Sequence, residues 1–301
     1  MMKDTKLFFT RLPKALQIAF RKAPVFVVLV LLALFAMTAC KKKSPTVTAV
    51  PRCTEENVPE HCDCVDGKLQ CERTLLLFAN FDGRAASDLS TYGHELTASN
   101  VAFPAEPSGR GAVSSYSGQN SYIKVPNVDT LNPTKQLTIA AWIRPHSAGV
   151  NSGHEQRIIQ RDEHTWGFFM YAGEDQITFY TDTDAVRDDQ SWIQRKAKIT
   201  LDTKYTHVVG VFDGRRKIMK LYIDGELVPE PNDAEQPPRN TLNTPDRDMF
   251  IGANHFMNGQ ATAPFIGDLD EVRIYSRALT QLEIKAIMKL SDPNVRTGNQ
   301  E

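Results

Sequence analysis

From Leu75 onward the apolar residues come in short runs broken by turn residues. The first run is Leu75-Leu-Leu-Phe-Ala-Asn-Phe81. It is followed by Tyr122–Val125, Leu137–Ile143, Arg157–Gln160, Trp166–Tyr171 and Gln176–Tyr180, then by Thr206–Phe212, Met219–Ile223, Met249–Gly252 and Leu269–Tyr275. Runs of this length, rich in β-branched and aromatic residues and recurring about every 10 positions, predict an all-β, two-sheet antiparallel sandwich. Asp213-Gly214 and Asp224-Gly225 directly follow strands and mark hairpin turns. The period changes after Tyr275. Thr280-Gln-Leu-Glu283 has the spacing of a capping box, and Leu279, Leu282, Ala286, Ile287 and Leu290 form a helical apolar stripe. A short C-terminal helix packed on the sandwich is therefore expected, with polar residues 291–301 as a frayed tail.

The N-terminal end has a different pattern. Val25–Met37 is 13 apolar residues without a charge, preceded by a basic segment. That is short for a membrane-crossing helix, which needs roughly 20 residues, and suits the core of a signal peptide. Met37-Thr-Ala-Cys40 resembles a bacterial lipobox, with Met where Leu is usual. The resemblance implies a signal peptide over residues 1–39, acylation of Cys40 and a membrane anchor on an exported protein. Lys41 after the cysteine points to the outer membrane if the cell is Gram-negative. An ordinary signal peptide and an uncleaved anchor are the other readings. Residues 40–52, with Pro45 and Pro51 and no apolar period, read as an extended tether.

Cys53, Cys62, Cys64 and Cys71 lie within 19 residues. In an exported chain this density predicts a small disulfide-rich segment over 53–73, with two bridges of undetermined connectivity. The alternative is a zinc cluster with His61, although Cys62-x-Cys64 is not the usual knuckle spacing. Net charge over 301 residues is −1; after residue 39, 29 Lys and Arg face 35 Asp and Glu. An acidic mature chain lacks the basic footprint that nucleic acid requires. Lys41-Lys42-Lys43 reads as a membrane-proximal flank.

Several runs taken together carry a family resemblance. They include Thr206-His-Val-Val-Gly-Val-Phe-Asp-Gly214, Lys220-Leu-Tyr-Ile-Asp-Gly-Glu-Leu227, Phe250-Ile-Gly-Ala253 and Phe265-Ile-Gly-Asp-Leu-Asp-Glu-Val-Arg-Ile-Tyr275. Upstream, Phe81-Asp82, Ser121–Pro126 and Leu137–Pro145 complete the order. The pattern resembles the laminin-G-like/concanavalin A-like jelly-roll superfamily, which implies a jelly roll over 74–290. That superfamily includes lectin-like modules, protein-binding modules and accessory domains of enzymes, so the resemblance specifies fold more than ligand.

Within Ile266–Ile284, strand alternation places Asp268 and Asp270 on the side of Val272 and Ile274. Asp270 then lies on an apolar face and needs a partner. The family resemblance implies a structural calcium held by Asp82 and Asp270, with Asp268 as a third contributor; the other reading has Asp270 capping backbone amides. Arg273 and Arg277 have Glu271 and Glu283 as candidate ion-pair partners. The glucanase branch carries Glu-x-Asp-x-Glu, whereas this chain has Asp268-x-Asp270-Glu271 with Arg273 where the second glutamate belongs. The seven histidines show neither HExxH nor HxH spacing, and no serine lies in Gly-x-Ser-x-Gly. No enzyme is expected. Binding is assigned to the long polar loops 144–155, 182–190 and 229–248 and to the 254–258 turn, with Trp166 and Trp192 as rings for sugar stacking or for packing. The expectation is a surface-anchored, non-catalytic, lectin-like lipoprotein that recognises glycan or protein at the cell envelope. The alternatives are an assembly lipoprotein without a sugar site and a divergent glycan hydrolase or lyase.

Overall fold

The computed structural model describes residues 63–65, 68–70, 74–81, 85–103, 113–114, 120–162, 165–183, 192–230, 240–254, 256–257 and 260–293. The chain divides into two compact units, Met1–Pro51 and Arg52–Glu301, and all described residues belong to the second.

Strands β1 (Asp63–Val65) and β2 (Lys68–Gln70) pair with Val65 opposite Lys68. The sandwich follows as β3 (Leu75–Asn80), β4 (Ser87–Asp88), β5 (Thr97–Ser99), β6 (Val113–Ser114), β7 (Tyr122–Val125) and β8 (Gln136–Pro145). It continues as β9 (Gln156–Asp162), β10 (Trp166–Met170), β11 (Gln176–Asp182), β12 (Trp192–Lys198), β13 (Thr206–Asp213), β14 (Ile218–Ile223), β15 (Glu226–Leu227) and β16 (Met249–Ile251). The pair β17 (Phe256–Met257) and β18 (Gln260–Ala261) precedes the last strand, β19 (Gly267–Tyr275). Among the described residues two α-helices, α1 (Ser147–Val150) and α2 (Gln281–Ser291), and a 3-10 turn at Asp129–Leu131 lie outside the sheets.

One sheet has the order β15-β14-β13-β8-β19-β3-β4, with β6 beside the first half of β19; the other has the order β12-β11-β10-β9-β16-β7-β5. All pairings between the named strands are antiparallel, with one isolated parallel bridge between Arg157 and Pro264, so the architecture is the expected all-β jelly-roll sandwich with a C-terminal helix. Alternation on β8 is regular: Leu137, Ile139, Ala141 and Ile143 point inward and Thr138, Ala140 and Trp142 point outward. The inward set packs with Ile123, Ile159, Phe168, Ile177 and Phe179 of the facing sheet, all with no exposed surface. Each large side chain buried this way contributes about 1.5–3 kcal/mol.

Asp224 (φ 49°) and Gly225 (φ 78°) form the tight turn between β14 and β15, and the Asp224 carboxylate accepts from the His207 amide at 2.9 Å. At Asp213-Gly214 the connection is longer: β13 ends at Asp213 and β14 begins at Ile218. The sequence pattern misses β12. Its Trp-Ile-Gln-Arg-Lys-Ala-Lys carries the charges typical of an edge strand, which mask the apolar alternation of Ile193 and Ala197.

The alternation predicted for the last strand is corrected by a β-bulge. Asp270 lies opposite Trp142, but Arg273 lies opposite Ala140, so β19 holds one more residue than β8 over that interval. Glu271 takes up the difference in the left-handed region at φ 51°. Leu269 points into the core before the bulge, and Val272 and Ile274 do so after it. Asp268 and Asp270 are therefore on the outward face with Trp142, although both remain 1% exposed.

The capping box is formed: Thr280 Oγ1 accepts from the Glu283 amide, and Glu283 accepts from the Thr280 amide at 2.8 Å. Arg277 pairs with Glu283 at 2.7 Å and Arg273 with Glu271. The predicted apolar stripe is only partly the docking face. Leu279 (before the helix), Ile284 and Ile287 pack on Ala140, Val209, Val211, Tyr222 and Tyr275, whereas Leu282 is 82% exposed and Leu290 74%.

Candidate binding face

Asp268 stands opposite Arg144, whose Nε donates to its Oδ2 at 2.6 Å; His146 Nε2 lies 3.3 Å from the same oxygen. Burial pulls the Arg144 pKa down, but the hydrogen bond and charge of Asp268 outweigh it and hold the guanidinium above its ordinary value. The guanidinium also lies 4.9 Å from the Tyr205 ring centroid. Asp270 Oδ1 accepts from the Glu271 amide at 2.8 Å, so this carboxylate caps the bulge. Asp82 lies outside the described residues, as do Cys40, Cys53, Cys62, Cys71 and the side chain of Cys64. Among the described residues there is no cluster of three or more His, Cys, Asp or Glu side chains able to hold a metal ion. His207 sits beside Trp142 with ring centroids 4.9 Å apart; neither ring nitrogen has a hydrogen-bond partner. Burial, and then the Arg273 charge, push its pKa down to about 3, so the ring is neutral.

The outward face of the seven-stranded sheet is organised differently. Strand register aligns its side chains in two rows. One row runs Arg157, Phe169, Thr178, Lys196 across β9, β10, β11 and β12. The other crosses the whole sheet as Thr97, Lys124, Phe250, Gln160, Gly167, Tyr180, Gln194. Adjacent strands are about 4.8 Å apart, so the shorter row spans roughly 14 Å.

Rings dominate the β9–β12 half of this face. Trp192 stacks on Tyr180 at 4.9 Å between centroids, 25° from parallel. Phe169 meets Tyr180 edge-on at 5.6 Å and Tyr171 at 4.7 Å. The Arg157 guanidinium lies among them, 4.7 Å from the centroid of Phe169, 5.4 Å from that of Trp192 and 5.5 Å from that of Tyr180. Lys196 Nζ lies 4.4 Å from the Tyr171 centroid. Gly167 leaves room for Tyr180 to lean across and donate its hydroxyl to the Asp162 carbonyl at 3.0 Å. Tyr180 and Phe169 have no exposed surface, whereas Trp192 and Tyr171 are half-buried and Lys196 is exposed.

On this face Arg157 Nη1, Gln160 Oε1, Thr178 Oγ1 and Trp192 Nε1 are buried without a hydrogen-bond partner, and the buried Asp182 carboxylate stands opposite Trp192. Each unpartnered atom costs about 1–3 kcal/mol if left unmet. Glu155 pairs with Arg157 at Nε, and Gln160 spends its amide donor on Asn254 Oδ1 at 2.5 Å. At the β12 edge a cavity of about 310 Å³ is lined by Gln194, Arg195, Lys196, Leu221, Val228 and Pro229.

Of the two tryptophans considered for stacking, Trp166 is a core residue at 1% exposure and Trp192 faces outward. Arg157, Gln160, Phe169, Tyr171, Thr178 and Tyr180 were not foreseen as site residues. They share the outward face in the β9–β12 region, and only strand order brings them together.

A sequence model of the concanavalin A-like lectin/glucanases superfamily matches residues 117–285, more than half of the chain. No curated protein matches it. Among solved structures, the binding domain of Paraclostridial Mosquitocidal Protein 1 superposes with a TM-score of 0.57 at 18% identity, covering 72% of this chain and 52% of that one. The binding domain of botulinum neurotoxin serotype D gives 0.56 at 18% identity, covering 72% and 51%. The serotype D domain in complex with N-acetylneuraminic acid gives 0.53 at 18% identity, with the same coverage. The chain thus spans about half the length of these structures, and at such identities the likeness is one of fold.

Proposed function

Because this chain belongs to the concanavalin A-like lectin/glucanases superfamily, we propose that it is a non-catalytic saccharide-binding module, exported and held at the cell envelope by a lipid on Cys40. The carrying observation is the β9–β12 face, where half-buried Trp192 and Tyr171 lie beside four buried polar atoms that lack partners. A sugar ring has an apolar C–H face and a hydroxyl edge. A flat aromatic surface beside fixed donors and acceptors is its physical complement. Two unmet donors (Arg157 Nη1, Trp192 Nε1), one acceptor (Gln160 Oε1) and one hydroxyl (Thr178) match a hydroxyl-rich ligand in type.

Two structural neighbours support the ligand class, one a complex with N-acetylneuraminic acid and another concerned with interaction with two ganglioside molecules; a third, a complex with rat synaptotagmin II, supports the protein-docking alternative. Asp268 is engaged by Arg144, and Arg273 replaces the second glutamate of the glucanase pattern, which supports a non-catalytic role. A calcium ion on Asp270 and Asp82 belongs to the same proposal as a structural element. Asp268, already matched by a guanidinium, fits that role less well than Asp270.

A glycan array read with and without chelator tests the saccharide assignment. Wild-type protein binds at least one saccharide class, and Trp192→Ala weakens that binding roughly tenfold or more while the fold is retained. If folded wild-type protein retains no saccharide, the assignment is wrong and the protein-docking alternative takes its place. The anchor is tested by metabolic labelling with a fatty acid, which Cys40→Ser abolishes.

A further inference from the structure

We infer that the saccharide bound on this face carries an anionic group, a carboxylate or a sulfate, and that Arg157 and Lys196 recognise it. The inference rests on the saccharide reading above and deepens it.

The two rows of outward side chains occupy eleven positions, which hold three cations, Arg157, Lys196 and Lys124, and no carboxylate; beyond the rows, the buried Asp182 stands opposite Trp192 on the same face. This stands out in a chain whose acids outnumber its bases after the first 39 residues. Arg157 and Lys196 end the shorter row, with only Phe169 and Thr178 between them. Lys124 has Asp248 at 3.5 Å, outside the rows, whereas Lys196 has no carboxylate partner among the described residues.

Arg157 supplies the direction. Phe169, Tyr180 and Trp192 crowd the guanidinium, so a new partner must approach its N–H edge. Glu155 already occupies the Nε side. Nη1 remains buried without an acceptor in a side chain only 7% exposed. A guanidinium has donors and no acceptor, so the missing partner must bring acceptor oxygens, and a charged acceptor forms the stronger bond. Lys196, exposed at the other end of the row, is placed for a second anionic oxygen or the next residue of a repeating acidic chain.

The test uses the full chain purified in detergent, with dextran as neutral probe, dextran sulfate as sulfated probe and hyaluronate as carboxylated probe. Binding to one or both anionic polymers is expected, at least tenfold tighter than to dextran and falling as salt rises from about 50 to about 500 mM. Lys196→Ala lowers that affinity about tenfold, Lys196→Arg restores most of it, and Lys204→Ala, on another part of the surface, leaves it unchanged. Lys196 is exposed, so its variants keep the fold; Arg157→Gln is compared only after its thermal melt shows a folded protein. Dextran bound as tightly as the anionic polymers, or Lys196→Ala with wild-type affinity, overturns the anionic reading while leaving the saccharide reading intact. Equal losses for Lys204→Ala and Lys196→Ala reduce the effect to general surface charge and also overturn it. Folded protein that binds no saccharide on the array or among these polymers removes both readings together.

Discussion

Tyr180 on β11 lies directly opposite Gly167 on β10, and its ring occupies the space that a side chain at position 167 would need. A β-carbon there would lie 2.9–3.0 Å from the ring edge and hydroxyl of Tyr180, with the Ile159 carbonyl nearer still. The tyrosine in turn supports the Trp192 indole. Gly167→Ala is therefore expected to destabilise the domain by about 1–3 kcal/mol through overpacking. It should also disturb the stacked rings, so the check is a thermal melt combined with near-ultraviolet circular dichroism. An unchanged melt and aromatic spectrum would show that Tyr180 can leave without cost.

The bulge at Glu271 gives a comparison free of the lost ion pair. Both Glu271→Asn and Glu271→Val remove the contact with Arg273, but only asparagine tolerates the left-handed backbone at φ 51°. The valine variant should be less stable than the asparagine variant by about 1–2 kcal/mol in denaturant unfolding. Equal stabilities would mean that β19 can absorb the additional residue elsewhere.

His207 gives the domain a dependence on pH. Its folded pKa is lowered to about 3, so the folded state keeps the ring neutral while the unfolded chain takes up a proton below about 6.5. Stability is full above that value and falls as pH drops from about 6.5 toward 3. At pH 5 the loss from this residue alone is about 2 kcal/mol. Asp88 adds a separate loss at lower pH. Its own burial opposes ionisation, but the amides of Phe78, Ser90 and His94 outweigh this and lower its pKa, so its contribution is present above about 3.8 and is lost as pH falls through the lower folded value. Melting temperatures between pH 7 and 5 should fall less for His207→Phe than for wild type; parallel curves would assign the acid sensitivity to other groups.

The docking face of α2 can be checked by contrast. Ile284→Ala removes a fully buried side chain and should cost about 2–5 kcal/mol, whereas Leu282→Ala, 82% exposed, should change stability by less than about 0.5 kcal/mol. Thr280→Ala removes the capping hydroxyl and should cost about 1 kcal/mol. Chemical denaturation of the three variants would reveal a different orientation if Leu282→Ala proved the costly one.

The calcium assignment makes an equally direct claim. Asp270→Ala should lower the melting temperature in calcium and remove the difference between calcium and chelator. If wild-type protein melts at one temperature in both, Asp270 serves no structural ion.

Much of this architecture can be read locally. Asp224-Gly225 must turn because both residues adopt positive φ, and Thr280 with Glu283 caps a helix through contacts three residues apart. Glu271 escapes such a reading because glutamate carries no mark of a left-handed conformation; one inserted residue then moved Asp270 to the opposite face from the one strict alternation implies. The α2 face was ambiguous for another reason: Leu282 and Ile284 are both aliphatic, and only the position of the sheet selects between them. The binding face was least accessible. Arg157 meets Phe169 across one strand pair and Trp192 comes from an edge strand disguised by its lysines, so the cluster exists only once the order β9-β10-β11-β12 is known.

The central place of β19 sets a schedule for assembly. This last strand lies between β8 and β3, the first strand of its sheet, and among the described residues β3 pairs only with β19 and the two-residue β4. During synthesis the sheet stays open until residue 275 is made, because among the described residues it is β19 that bridges its first strand to its middle. Closure thus brings together residues nearly two hundred positions apart, a slow and cooperative event for a polypeptide. A chain truncated before Gly267 should be unable to complete the sandwich at all, and would expose the Leu77 and Ile139 flanks that β19 covers.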